Sequence, residues 1–379
     1  MNRFLKNGVP FSALLTLSAL PALADDPGLV NKIEASALVA AGKYGAVKDS
    51  SMTNGQKTNM NNQITPPAGP KVEHCCDPYV TADFIWWKAS QDGLEYATTG
   101  FNGSPSSLAD ISKGTVHDPD FKYTPGFKVG AGLMFKHDNW DLYAQYTWLR
   151  ENDVGSSVSQ PSGSQLIGMY FFPSSSSLLV DGDHAKAEWS LHFNVVDLEL
   201  GRNYYISKYL TLRPHFGFKG AWIDQDFHQK FTGPGFLSEV NEITEIKAHF
   251  DQDFWGVGLR TGLNTCWYFV KDWGLYGDMA LSALWCNFDE DRKDQWIIDG
   301  VETTTFHTGY NFYTVRPVLE LGFGLRYETT FDHGNYELLL QAGWEAQVWF
   351  DHNNFIRPWN DENGSLNLDG LTVKAAFAF

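Results

Sequence analysis

Two short runs in the middle of the chain carry the residue types of metal and acid–base chemistry: Asp224-Gln225-Asp226-Phe227-His228 and His249-Phe250-Asp251-Gln252-Asp253. Side chains alternate sides along extended chain, so Asp224, Asp226 and His228 project together. Carboxylates and imidazoles arranged in that way could hold a metal ion or activate a water. Acidic residues are equally ordinary on a solvated loop rim, and no spacing fixes a nucleophile beside them. The two runs therefore read as the rim of one long loop. No catalytic residue, metal or cofactor is expected, and no enzymatic activity.

Three Gly-x-Gly-Leu runs, Gly130–Leu133, Gly256–Leu259 and Gly322–Leu325, invite comparison with phosphate-binding glycine loops. Such a loop must open a helix whose N-terminus holds the anion. Here a period-two pattern runs straight through all three. The glycines are expected on the inward face of strands, where they relieve crowding or permit curvature.

The cysteines Cys75, Cys76, Cys266 and Cys286 are too few for a disulfide scaffold. Cys266 and Cys286 fall on two arms of a hairpin turning near 270–273, with Cys266 expected opposite Gly277. Their offset, on the order of 30 Å along a strand, exceeds disulfide reach. Cys75 and Cys76 precede the first strand, where an intermolecular disulfide to a neighbouring subunit or envelope protein is the expectation to test.

Strands must position all of these residues. The chain closes on Leu371-Thr372-Val373-Lys374-Ala375-Ala376-Phe377-Ala378-Phe379, in which Leu371, Val373, Ala375, Phe377 and Phe379 share one side. A free, alternating aromatic edge invites pairing with other chains. The closing strand of an outer-membrane barrel sets such a side against lipid and its last aromatic at the interface. These residues are expected to form the C-terminal strand read during barrel assembly.

The same alternation recurs upstream, beginning with Val80, Ala82, Phe84 and Trp86 and again through Phe127–Phe135 and Trp140–Trp148. It continues through Trp189–Gly201, with a bulge expected at Val195-Val196, and then through Leu210–Trp222, Trp255–Trp267, Leu275–Trp285, Val315–Tyr327 and Tyr336–Phe350. Short links fall near 136–139, 204–208, 270–273 and 329–334; long ones fall near 91–123, 151–186, 223–253, 287–311 and 351–368. Short periplasmic turns opposite long external loops are the outer-membrane pattern. Trp and Tyr at the ends of the apolar faces fit two interfacial belts. Pro214 and Pro317 lie inside strands, where each should mark a bulge or a strand end.

The expected fold is all-β, a transmembrane antiparallel up-and-down β-barrel over 77–379. Ten strands are counted, within an even range of roughly 10 to 16. A soluble β-sandwich would need a second sheet over every apolar face and leaves the alternation of loop lengths unexplained.

Composition agrees. Aromatic residues make up 15% of the chain and charged residues only 19%, which suits a wall whose apolar side chains occupy alternate positions. The net charge of −17 argues against nucleic acid as a partner. Arg3 and Lys6, the apolar run Val9–Leu20 and Ala22-Leu23-Ala24 read as a signal peptide over 1–24. Residues 25–76 read as a low-complexity periplasmic segment, rich in Asn, Thr, Gln, Gly and Pro between Ser50 and Pro70.

Inward positions carry both signs: Arg213, Lys219, Arg260, Arg316 and Arg326 against Asp197, Glu199, Glu320, Glu328, Glu337 and Glu345. Lining a wet lumen, such charges would set ion preference, and the run Asp289-Glu290-Asp291 would gather cations at its mouth. The expected function is an outer-membrane porin passing small hydrophilic solutes and ions with modest cation preference. The alternative is a structural or adhesive protein whose charges pair and seal the lumen. A third class, an enzyme of the loop rim, would rest on Asp226 and His228. Expected partners are outer-membrane lipid, the barrel-assembly machinery, and further copies or disulfide-linked envelope proteins.

Asp77–Ala89, Asp197–Tyr205, Leu212–Gly217 and Phe254–Arg260 resemble the Legionella-type major outer membrane proteins, a family also found in chlamydia-like bacteria. The resemblance covers about residue 72 to the end. It implies an abundant, porin-like outer-membrane barrel, often disulfide cross-linked and sometimes adhesive, and it transfers no individual residue. Ten strands are fewer than a general porin has, since about 8 leave a filled interior and 16–18 an aqueous channel. Either the long loops hide further hairpins or the pore is narrow.

Overall fold

Period-two sequence becomes strand throughout the computed structural model. It describes residues 76–101, 114–136, 138–162, 164–169, 182–207, 209–237, 242–298, 300–332, 335–357 and 364–379. The expected signal peptide, the low-complexity segment up to residue 75, and Cys75 lie outside the described residues.

The elements are β1 (Cys76–Gln91), β2 (Ala97–Phe101), β3 (Thr115–His117), β4 (Tyr123–Phe135), β5 (Trp140–Ser159), β6 (Gln165–Gly168), β7 (His184–Arg202), β8 (Tyr204–Tyr205), β9 (Leu210–Leu237), β10 (Glu242–Val270), β11 (Trp273–Ile298), β12 (Val301–Phe331), β13 (Tyr336–Asn353) and β14 (Gly364–Ala378). Ten of them, β1, β4, β5, β7 and β9–β14, form one antiparallel ladder in chain order. It closes where β14 pairs with β1, from Tyr79 opposite Ala378 to Gln91 opposite Leu366. Closure leaves the C-terminal strand no free edge, and Phe379 N–H donates to the Pro78 carbonyl. β2, β3 and β6 form a small separate sheet within two of the long connections.

The outer wall is apolar. Phe84, Trp86, Phe218, Trp222, Leu259, Leu281, Trp285, Phe323 and Val373 all stand exposed on it, the last on the same side of β14 as Leu371, Ala375, Phe377 and Phe379. In water such a surface would aggregate, so it faces lipid. Trp255, Trp285 and Tyr313 pack together at one level, and Trp267, Phe269, Trp273 and Tyr327 gather near the short turns. These are the two interfacial belts. The short turns use Asp and Asn in the left-handed region: Asp138, Asn139, Asp272 and Asp332 have φ between 53° and 67°. By the general rule for outer-membrane barrels this end faces the periplasm.

Both prolines sit where pairing changes. Pro214 lies between the last β7 pair, at His215, and the first β8 pair, at Leu212. Pro317 lies one residue beyond Val318, the last β12 residue paired with β13. In each case the missing N–H falls where no ladder acceptor waits on that side.

Three expectations are corrected. Val195-Val196 carries no bulge: Val195 points inward, Val196 outward, and β7–β9 pairing is unbroken there. Two consecutive valines are apolar because both faces of the wall are apolar at that level. The irregularity falls on β5 instead, between Glu151 and Val154. Cys266 stands opposite Tyr276, with Thr265 opposite Gly277, because the register shifts between Tyr268 and Val270 at the turn. Much of the expected long loops at 151–186, 223–253 and 287–311 is strand: β5, β9, β10, β11 and β12 continue well past the aromatic belt.

The continuation keeps the alternation but exchanges its polarity. Along β9 the outward side runs Phe216, Phe218, Trp222 and then Asp224, Asp226, His228, Lys230. The inward side runs Arg213, His215, Lys219 and then Ile223, Phe227, Phe231. Below the belt the barrel is greasy outside and charged inside. Beyond it the outward face turns charged and the inward face mainly apolar, apart from Glu290, Arg292 and Asp294 on β11.

Candidate functional site in the barrel lumen

Inside the half nearer the short turns lies a polar cavity of about 300 Å³. Its lining contains Asp197, Glu199, Arg213, Arg260, Glu320, Arg326, Glu328, Glu337 and Glu345 among the residues expected to face inward. It also contains Asp83, Asp141, Asp278 and Lys374, with Tyr79, Tyr143 and Tyr276, which sequence reasoning had not assigned to the lumen. Their signal was available: each occupies the inward phase of a strand whose other phase is apolar.

Inward glycines make room for these rings. A Cβ on Gly132 would lie 2.2 Å from the Tyr79 ring, and one on Gly130 would lie 2.5 Å from the Tyr143 hydroxyl. The glycines of Gly130–Leu133 thus make room on the inner wall for rings of the two adjacent strands, β1 and β5, as their strand phase suggested.

Most of the charges are woven into one network, with two further ion pairs beside it. Arg213 binds Asp141 through two nitrogens (Nε–Oδ2 2.8 Å, Nη2–Oδ1 2.5 Å), and its Nη1 donates to Glu199 at 3.0 Å. Arg260 donates to Glu199 at 3.1 Å and to Glu320, and lies 3.7 Å from Asp197. Lys219, wholly buried, stands 2.7 Å from Asp197 and 2.9 Å from Glu320. Lys128 reaches Glu345 at 2.5 Å, and Arg326 reaches Glu328 at 2.7 Å. Single charges in such a place would cost several kcal/mol each; pairing with further hydrogen bonds offsets that cost. Arg316 stands apart, higher in the barrel, where it approaches Asp351 at 3.5 Å and donates to Asn354 at 3.1 Å.

Above the network the interior is mainly aromatic. Trp87, Trp189, Phe193, Phe227, Phe250, Phe254, Phe288 and Trp349 are at most 2% exposed and fill the barrel at and beyond the outer belt. Lys128 under Trp87 (4.6 Å to the ring centre) and Lys219 under Trp349 (5.8 Å) mark the boundary between the polar and apolar layers. The segment after β13 folds back into the mouth. Phe355 packs on Phe227 and Phe250, the Ile356 carbonyl accepts from Arg292 at 3.0 Å, and Asn354 N–H donates to Gln252. His352 is buried there, with Gln225 Nε2 2.9 Å from its Nδ1. Burial and the nearby Arg316 guanidinium depress its pKa to about 3, so it is neutral.

The acidic runs lie elsewhere. Asp224, Asp226 and His228 are not on a loop rim: they sit on β9 directly opposite Asp253, Asp251 and His249 of β10, all on the outward face beyond Trp222 and Trp255. Burial and the facing Asp251 raise Asp226 to about 6, while the hydrogen bond from His249 holds Asp251 below the usual range. The Asp289–Asp291 run is likewise strand. Asp289 and Asp291 face outward and Glu290 is buried inside, so it forms no acidic loop at the mouth.

A closed ten-strand wall, lipid-facing outside and polar within, defines an outer-membrane β-barrel protein. The chain belongs to the family of the Legionella pneumophila major outer membrane protein precursor, whose model matches residues 70–379. No curated protein matches it. Among solved structures, the outer membrane protease OmpT from Escherichia coli is 10% identical, covering 80% of this chain and 96% of that one, at a TM-score of 0.35. The Pseudomonas putida toluene transporter TodX is 7% identical (81% and 90% covered, TM-score 0.26). The translocator domain of the autotransporter NalP from Neisseria meningitidis is 9% identical (92% and 97% covered, TM-score 0.25). At these values the likeness carries nothing about activity.

Proposed function

We propose that this protein is a structural barrel of the outer membrane whose lumen rests closed, and that it is not an enzyme. The observation that carries this reading is the fully buried aromatic layer of Trp87, Trp189, Phe193, Phe254 and Trp349 above a network of paired charges. A continuous aqueous path would need that layer to part. Asp226 and His228 face the headgroup level and not a cleft, which favours no catalytic role. A signal peptide over 1–24 would deliver the chain to the assembly machinery.

A second reading, a narrow porin with cation preference, is favoured by the polar cavity. Its lining holds nine carboxylates (Asp83, Asp141, Asp197, Glu199, Asp278, Glu320, Glu328, Glu337, Glu345) against five cations (Lys128, Arg213, Arg260, Arg326, Lys374). In that reading the 354–357 segment is a stopper. Planar-bilayer recording separates the two. The closed-barrel reading expects no steady conductance from the full chain; steady conductance with a cation-selective reversal potential establishes the porin. Cross-linking through Cys75 and Cys76 is also proposed: bands above the monomer on non-reducing gels should vanish in the C75S/C76S variant.

A further inference from the structure

The outward face of β9 and β10 holds a group that neither lipid anchoring nor a closed lumen requires. We propose that Asp226, Asp251 and His249 form a site for one divalent cation of the Zn²⁺ class on the outside of the barrel, at headgroup level.

Their ligand atoms all lie within 4.8 Å of one another, which is the spread a single ion can gather. Asp226 and Asp251 are direct cross-strand partners, so the ladder itself brings the two carboxylates together. Like charges directly opposite destabilise a sheet, so two carboxylates facing each other across the ladder favour a cation between them. His249 completes the group: its Nε2 is 3.1 Å from Asp251 Oδ1, and its Nδ1 meets Nδ1 of His228. A cation placed among them would bind all three donors.

The imidazole distinguishes this place from ordinary acidic crowding. Asp253 stands opposite Asp289 on the same outward belt, but only Asp226, His249 and Asp251 make a chelating group among the described residues. One nitrogen with two carboxylate oxygens suits a borderline ion better than Mg²⁺ or Ca²⁺, which take six or more oxygens. Three protein ligands leave an open position. His249 and Asp251 side chains are 37% and 39% exposed, so that position is reachable from outside. Asp226 lies four residues beyond Trp222, roughly 13 Å along the strand, above the hydrocarbon edge that the tryptophan marks.

Calorimetric titration of the detergent-solubilised full chain with Zn²⁺, in millimolar Mg²⁺, tests the site. The expected result is one Zn²⁺ equivalent that disappears in D226N/D251N and weakens in H249Q by more than the roughly 10–100-fold cost of losing an outer-shell partner. D289N, on the same belt but outside the group, should retain it. Binding elsewhere in the chain would survive in every variant and so identifies itself. Equal Zn²⁺ binding by wild type and D226N/D251N overturns the proposal, as does an equal loss in D289N. The heat-dependent gel shift of each variant confirms that the barrel has folded.

Discussion

Lys219 and Glu320 meet at 2.9 Å although two whole strands, β10 and β11, separate β9 from β12 in the wall. The contact crosses the lumen, so the network braces the barrel across its width as well as around it.

That bracing has a measurable consequence. Removing one member of a buried pair strands the other, at a cost of about 3–5 kcal/mol. Lys219→Met is expected to lower the unfolding free energy by that order in urea titrations of the vesicle-inserted protein. Adding Glu320→Gln should cost less than a second independent loss, because the two substitutions share the Lys219–Glu320 contact, although Glu320→Gln also weakens the bond from Arg260.

Close approach at glycine gives a paired test. A Cβ on Gly217 would stand 1.8 Å from the Leu198 carbonyl oxygen on the neighbouring strand, whereas one on Gly277 meets nothing nearer than Thr265 Cγ2 at 3.4 Å. Gly217→Ala should therefore destabilise by about 1–3 kcal/mol, the usual cost of overpacking. Gly277→Ala should change stability by less than about 0.5 kcal/mol. Equal midpoints for the two variants would remove the argument.

His352 makes stability depend on pH with a definite sign. It lies beyond the aromatic belt, level with Gln225 and Gln252, and is held neutral with a pKa near about 3. An unfolded histidine titrates near 6.5. Between those values the unfolded chain binds the extra proton, so this group's contribution weakens as pH falls below about 6.5 and is restored on raising it. Urea midpoints of wild type should drop from pH 7 to pH 4 more steeply than those of His352→Gln.

The closing strand yields a test of assembly. Phe377 packs on Phe331, Tyr336 and Phe379, joining β14 to the β12–β13 turn. Phe377→Ala with Phe379→Ala is expected to reduce the heat-modifiable, membrane-inserted fraction several-fold in cell envelopes. Ala375→Gly on the same face should leave it nearly unchanged.

The membrane-spanning wall was legible because its two faces obey opposite chemistry. Lys219 and Arg260 could be set inward simply because Phe218 and Leu259 had to face lipid. Pro214 and Pro317 likewise announced the places where pairing changes. The outer extensions were not legible in the same way. From Asp224 onward the outward phase turns acidic, and a window tuned to lipid-facing residues reads that as loop. The alternation had only exchanged its partners, with Phe227 and Phe231 now inward. The cross-strand meeting of Asp226 with Asp251 depended on hairpin register, which residue types alone do not set. His352 was missed because nothing in the local sequence says that the last residues of β13 will turn into the barrel.

The exchange of polarity at Trp222 divides the molecule by solvent. Above that line the strands enclose a mainly apolar interior of their own, with a few paired polar groups, and show water a charged skin, as any cytosolic or secreted β-domain does. Stripping away lipid would unseat the lower half and leave the upper half with its driving force intact. Amide protons around Phe227 and Phe250 should therefore exchange slowly in mild detergents that already loosen the ladder near Leu263 and Met279.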